Sequence, residues 1–253
     1  MTWPWDLAAV LLGPVVGSFL GLVSLRLPED RGIVAGRSAC HACGRTLSPI
    51  DLVPILSFLA LRGRCRTCGG AIPPRYLLME LGCLALGVWS AAAFEGPLAL
   101  VSAMLAWWLL IIAVIDAEHF WLPARLTLPL GAVGLVQAVA FSLLGQRETP
   151  WIHNLIGAAA GFAALWLLAF AYRRIRSREG LGGGDPILLG AIGAWVGWQG
   201  LPSVVLWASV VGLGVVLAIR LMRGSIAAET RLPFGTFLAV GAWLVWSFGA
   251  AGL

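Results

Sequence analysis

Two aspartates stand where a carboxylate is expensive to place. Asp116 closes the apolar run Leu105 to Ile115, and Asp185 follows Gly182-Gly183-Gly184 just before another apolar run. An ionisable residue at the edge of a membrane-length segment is a functional candidate by default. Two carboxylates brought to one place must share a proton. The ionised one can then activate water while the protonated one polarises a carbonyl, which is the working chemistry of an acid protease.

Each aspartate also has a structural reading. Asp185 followed by Pro186 is an ordinary helix N-cap with proline in the first helical position. The three glycines argue for more, because they suit a backbone that a peptide must approach closely. Asp116 lies at the C-terminal end of its run, where the helix dipole disfavours an anion. Its structural alternative is an ion pair with Arg125 or Arg173. Glu118 reads as a solvated neighbour. Glu80, inside an apolar run near Arg75, is either a packing acid or part of a second functional site. His119 and His153 read as interfacial polar residues.

A second constellation is Cys40-His41-Ala42-Cys43 and Cys65-Arg66-Thr67-Cys68, two CxxC pairs separated by 21 residues. Four thiolates so spaced suit tetrahedral Zn²⁺, and a small loop needs such a staple to hold a shape. Cys40, Cys43, Cys65 and Cys68 are therefore the expected ligands of a structural zinc. A redox CxxC or metal-free thiols are the competing readings, and His41 is an alternative ligand. Disulfides are not expected in a reducing compartment. Cys83 reads as a small core hydrophobe.

The elements that must position these groups are membrane spans. The chain is 60% hydrophobic and 11% charged, with a mean hydropathy of +0.91. Soluble domains carry charge on roughly a quarter of their residues. Eight segments approach the ~20 apolar residues a bilayer requires: Leu7–Leu25, Tyr76–Phe94, Leu98–Ile115, Leu122–Leu144, Ile152–Ala171, Pro186–Gln199, Pro202–Ile219 and Pro233–Ala250. Met1 to Asp6 lacks the basic region of a cleaved signal peptide, and Arg26 follows the first run, so that run is expected to be a span with its N-terminus outside.

All 17 basic residues are Arg. Threading from an outside N-terminus puts sixteen of the 17 in or beside four cytoplasmic segments, leaving only Arg147 outside. Arg37, Arg178 and Arg231 belong to that inner set. This asymmetry fixes the orientation and accounts for the net charge of +5 without nucleic acid. Trp3, Trp5, Trp89, Trp151, Trp198 and Trp246 fit an outer interfacial belt. Asp116 and Asp185 both emerge on the cytoplasmic side. The expected fold is an all-α polytopic membrane protein of about eight helices. Its parts are a first helix (1–26), a cytoplasmic four-cysteine zinc module (27–75) and a seven-helix membrane domain (76–253) carrying the aspartates.

The ordered motifs resemble one family. Gly17-Ser18-Phe19-Leu20 and Arg26-Leu27-Pro28 come first. Both CxxC pairs follow, with Leu61-Arg62-Gly63-Arg64-Cys65, then Arg75-Tyr76 and Glu80-Leu81. Next are Ile115-Asp116, Leu122-Pro123, Leu126-Thr127-Leu128-Pro129, Gly182-Gly183-Gly184-Asp185, Gly193-Ala194-Trp195, Gly197-Trp198-Gln199 and Pro233-Phe234-Gly235. Nearly the whole chain is similar to the bacterial type IV prepilin peptidases, membrane aspartic proteases that double as N-methyltransferases.

The resemblance implies that Asp116 and Asp185 are the catalytic pair. It links Gly63 and Arg64 to methyl transfer; Glu80, Gly182, Gly183 and Gly184 are further substrate or methyl-transfer candidates. It implies S-adenosylmethionine as methyl donor, prepilins or pseudopilins as substrates, and the bacterial inner membrane as location. The chain departs from the family at Ala124, Ile187 and Gly21, where Asp, Lys and Asn are frequent. The competing functional class is a non-catalytic membrane assembly protein with a zinc-stabilised docking loop.

Overall fold

The computed structural model describes residues 3–32, 38–145, 150–176, 182–223 and 232–249. Arg37, Arg147, Arg178 and Arg231 lie outside the described residues. Among those described, the chain is helical: α1 (Trp3–Arg26), a short 3-10 turn (Pro49–Leu52), α2 (Leu56–Ala60), α3 (Arg75–Ala93), α4 (Pro97–His119), α5 (Ala124–Leu143), α6 (Ile152–Arg176), α7 (Asp185–Arg223) and α8 (Phe234–Phe248). Six of these are long and apolar enough to cross a membrane, and α8 is a shorter apolar helix. No strand is present among the described residues, only two isolated bridges, Ala39 with Thr46 and Arg64 with Ala71. The chain divides into two compact units, Met1–Ile111 and Ile112–Leu253.

In the first unit α1 and α3 run antiparallel in close contact. A Cβ on Gly13 would lie 2.7 Å from the Cys83 carbonyl oxygen, and one on Gly17 would lie 2.5 Å from that of Met79. Lipid supplies no hydrophobic drive between helices, so small residues that let backbones touch define the interface. Cys83 is fully buried with Ala9, Ala103 and Trp107, and its carbonyl accepts the Trp107 indole N–H at 2.8 Å. It is the core residue the sequence suggests.

In the second unit α7 is two helices. Gly197 interrupts it with φ 73° and ψ 172°, a backbone conformation open to glycine. The stretch before Gly197 packs on α6, where Gly193 faces Gly157 and Leu189 faces Gly161. The stretch after it packs antiparallel on α8, with Val204 against Gly241 and Gly212 against Phe237. The chain doubles back at Gly197, earlier than the expected break between Gln199 and Pro202. Pro202 does not break the helix, because it falls in the first turns of the second stretch, where a missing N–H is tolerated. Residues 185–196 span only ~18 Å, less than the ~30 Å hydrocarbon core, so the expected sixth span is a short helix.

Candidate active site and metal centre

Asp116 lies in the last turn of α4, which continues to His119 beyond the expected end at Ile115. Its side chain is buried, the residue being 5% exposed. The electrostatic problem of an anion at a helix C-terminus is met from another element. The backbone N–H of Thr236, in the first turn of α8, donates to Asp116 Oδ2 at 2.7 Å. The Thr236 hydroxyl approaches the same oxygen at 3.2 Å and donates to the Ala113 carbonyl at 2.9 Å. The free N–H groups and positive dipole end of α8 thus face the carboxylate. Among the described residues Asp116 makes no ion pair, so the bridge to Arg125 or Arg173 is absent there.

Asp185 starts α7 and is equally buried, at 5% exposure. Its carboxylate turns back to the Gly182 backbone N–H. A Cβ on Gly182 would lie 3.0 Å from Oδ2. No first-turn N–H of α7 donates to the carboxylate among the described residues, so the side chain is not acting as a conventional cap. Asp116 and Asp185 are close enough to interact electrostatically.

Leu122, in the link between α4 and α5, gathers the surrounding backbone. A Cβ on Gly184 would fall 2.6 Å from Leu122 Cβ, and one on Gly235 would fall 2.8 Å from Leu122 Cδ2 and 3.0 Å from Asp116 Oδ2. Side chains at these two glycines would push the loops away from the carboxylates. Gly183 has nothing within 4 Å of its would-be Cβ; it needs no close approach, and it lies on the open side of the site. Thr236 and Leu122 escape a reading by residue type. The signal for Thr236 was Pro233-Phe234-Gly235 ahead of an apolar run, a helix start able to offer N–H groups.

The cysteines form two matching knuckles in the first unit. Cys40 N–H bonds to the Arg45 carbonyl and Gly44 N–H to the Cys40 carbonyl; Cys65 and Gly70, Gly69 and Cys65 repeat the pattern at the same distances of 2.8 and 2.9 Å. Gly44 and Gly69 both take φ 69°, which explains the glycine after each pair. The four Sγ atoms lie within 4.8 Å of one another. Backbone N–H groups of Cys68 and Thr67 lower the Cys65 thiol to about 6, and those of Cys43 and Ala42 lower Cys40. At Cys68 the Gly70 N–H pulls down, but the crowding thiols of Cys43, Cys65 and Cys40 outweigh it and push the group up to about 11. Four sulfurs so close cannot all ionise without a cation among them, and this donor set fits a tetrahedral metal ion. His41 is engaged elsewhere, its Nε2 lying 3.3 Å from the Tyr76 hydroxyl.

Asp51 ties the knuckles together. It pairs with Arg45 after the first and with Arg66 Nε inside the second, at 2.9 Å. The Ser48 hydroxyl donates to it at 2.8 Å. Its sequence signal was Ser48-Pro49-Ile50-Asp51, a capping-box pattern. Gly63 and Glu80 belong to this first unit and Gly182–Gly184 to the second, so the structure divides the substrate or methyl-transfer candidates into two groups. Arg64 is exposed and forms the bridge with Ala71. Gly63, at φ 68°, would place a Cβ 3.0 Å from Phe58 Cζ.

Apolar helices bringing two buried aspartates together define a candidate membrane hydrolase. Residues 11–94 match the Bacterial Peptidase A24 N-terminal domain, and residues 103–217 match the Type IV leader peptidase family. A "Prepilin leader peptidase/N-methyltransferase" of Burkholderia pseudomallei (strain K96243) is 40% identical, covering 95% of this chain and 84% of its own length. Proteins of the same name from Aeromonas hydrophila (34% identical; 98% and 92% covered) and Pseudomonas aeruginosa (36%; 96% and 90%) are similarly close. No solved structure matches significantly. The chain belongs to the type IV leader peptidase family, whose characteristic setting is the bacterial inner membrane, which this chain crosses several times.

Proposed function

We propose that this protein is a membrane aspartic endopeptidase that cleaves the basic leader of type IV prepilins or pseudopilins and N-methylates the new N-terminus. The observation that carries the hydrolytic half is the convergence of Asp116 and Asp185 at the ends of α4 and α7, with the start of α8 holding one of them. A prepilin presents a basic leader to the cytoplasm and an apolar helix to the bilayer, so its scissile bond lies at the inner interface. The arginine asymmetry supports placing both aspartates at that depth, with the N-terminus outside.

One ionised carboxylate takes a proton from water as it attacks the scissile carbonyl. The protonated partner donates to the carbonyl oxygen, and a proton passes to the departing amine. Which residue holds the proton is a property of the pair. The glycines at 182 and 184 keep the flanking backbone low enough for an extended substrate to enter.

The four-cysteine cluster holds a structural zinc that closes the loop, with no open coordination position. S-adenosylmethionine supplies, when bound, an electrophilic methyl group. By the resemblance Gly63 and Arg64 serve that second reaction. The decisive assay is detergent-solubilised protein with a prepilin peptide: a single cut behind the basic leader is expected. Absence of any cut, with zinc and helical content intact, favours the non-catalytic assembly protein.

A further inference from the structure

Glu80 is a buried charge that the cleavage chemistry does not use. It is 6% exposed and sits on α3, within the apolar part of the first unit. Its Oε2 accepts one hydrogen bond, from the Ile55 backbone N–H at 2.7 Å. Among the described residues no cation forms an ion pair with it. A carboxylate so desolvated is unfavourable unless something positive completes it.

The fold pays a conformational penalty to aim that one donor. Ile55 has φ 62° and ψ −55°, a left-handed setting that a β-branched residue rarely takes. The Leu56 N–H bonds back to the Pro54 carbonyl at 2.6 Å, which makes residues 54–56 a γ-turn of the strained hand. Backbone strain of this kind persists where the surroundings enforce it and gathers at functional sites.

Glu80 lines a pocket of about 450 Å³, together with Phe19 and Leu22 of α1, Phe58 of α2, Tyr76 of α3 and His41. That volume is ordinary for a small-molecule or peptide-end site. Arg26, Arg31, Arg45 and Arg66 also line it; Arg45 and Arg66 are held by Asp51 on the same wall, and among the described residues none of the four forms an ion pair with Glu80. Two glycines behind the wall press on residues that line it. A Cβ on Gly17 would fall 2.6 Å from Glu80 Cα, and one on Gly63 would meet the Phe58 ring at 3.0 Å. The methyl-transfer candidate Gly63 thus touches the pocket through Phe58, although it does not line it.

We propose that this pocket is the methyl-transfer chamber, in which Glu80 binds the α-ammonium of the cleaved substrate and takes a proton from it. The inference rests on the reading that the chain N-methylates its product. An α-ammonium is a poor nucleophile until it loses a proton, because the nitrogen lone pair is occupied. Glu80 accepts that proton; the freed lone pair forms the N–C bond to a sulfonium methyl, and the C–S electron pair remains on sulfur. The product leaves as a secondary ammonium, and Glu80 returns its proton to water. Tyr76 and the phenylalanine rings exclude water around the nitrogen.

The test uses full-length protein in detergent and the des-leader peptide, with a free or an acetylated N-terminus. Binding is measured without methyl donor, so that it stands apart from turnover. Native protein should prefer the free amine by at least tenfold. Glu80→Gln keeps an oxygen for the Ile55 N–H but loses the charge; it should erase that preference and cut methylation by at least a hundredfold while cleavage and zinc content survive. Leu22→Trp, which fills the pocket from α1, should also suppress methylation. Retained amine preference or native methylation in Glu80→Gln overturns the assignment, as does full methylation in Leu22→Trp. Native protein that cleaves but never methylates overturns the methylation reading instead, and the donor-free amine preference still decides whether Glu80 is an ammonium site.

Discussion

Glu80 and Asp116 are both buried carboxylates that accept a backbone N–H at 2.7 Å, and they differ in everything else around them. Asp116 has a second carboxylate within electrostatic reach, and its donor is the start of a regular helix. Among the described residues Glu80 has no carboxylate neighbour on its own pocket wall except Asp51, which is already engaged by two arginines, and its donor comes from a strained turn. A paired carboxylate can split roles, one ionised and one protonated, and so handle both ends of a hydrolysis. A buried carboxylate with neither a carboxylate partner nor an ion pair is completed by a cation. Under the two proposals, buried carboxylates serve different chemistries in the two units, and the neighbours decide which.

The largest expected effect breaks the pair. Asp116→Asn and Asp185→Asn should each lower cleavage by at least ~10²–10⁴-fold, the range of positioned acid–base catalysis. Expression, zinc content and methylation of a pre-cleaved peptide should persist. Asn is itself a competent N-cap, so a fully active Asp185→Asn variant would return that residue to a structural role. Glu118→Gln should keep substantial activity, as an exposed neighbour.

Removing the staple comes next. Purified protein should carry about one zinc per chain, and Cys43→Ser or chelation should abolish binding of that metal. Methylation should then collapse while cleavage falls far less, because the cysteine loop and the pocket share the first unit and both aspartates lie in the second. Elemental analysis with paired assays reads this directly. Equal loss of both activities would argue that the two units do not work separately.

Thr236→Val sharpens the comparison from the other side. It keeps the N–H to Asp116 and deletes the hydroxyl, whose single proton is divided between the Ala113 carbonyl and the carboxylate; a hydrogen bond to a charged group is worth about 1.5 kcal/mol. Cleavage kcat should fall about tenfold with KM little changed and with methylation untouched. An unchanged kcat would leave the hydroxyl only its bond to Ala113.

The smallest effect concerns Asp51, where Ser48, Arg66 and Arg45 hold the carboxyl down at about 2. A depressed folded value means its contribution is complete above the ordinary carboxylate range of about 4 and fades as pH falls through about 2. Asp51→Asn should therefore loosen residues 45–66 at neutral pH, seen as faster tryptic cleavage at Arg45 or Arg66. Hydrogen exchange of the same segment should show the two proteins converging near pH 2. A difference that persists there would locate the effect outside the titration.

Much of this architecture was legible in the residues because the bilayer imposes a simple rule. A lipid-facing segment has no water to bond its backbone, so it must close its hydrogen bonds within a helix or a barrel, and a run of ~20 apolar residues is the mark of the helix. The cysteine knuckles were legible for a similar reason: ligand spacing and a following glycine are local requirements. The two aspartates could be singled out by their cost. Gly197 was harder, since a single left-handed glycine inside an apolar run looks like any other small residue, and the turn was expected nearer Pro202.

Tertiary structure alone decided what surrounds each carboxylate. Thr236 lies 120 residues from Asp116, and Ile55 lies 25 residues from Glu80. The donors at 2.7 Å are both backbone N–H groups, which leave no mark on residue type. A backbone N–H becomes functional only when a helix start or a strained turn aims it, and that aim is set by packing between elements that the sequence lists far apart.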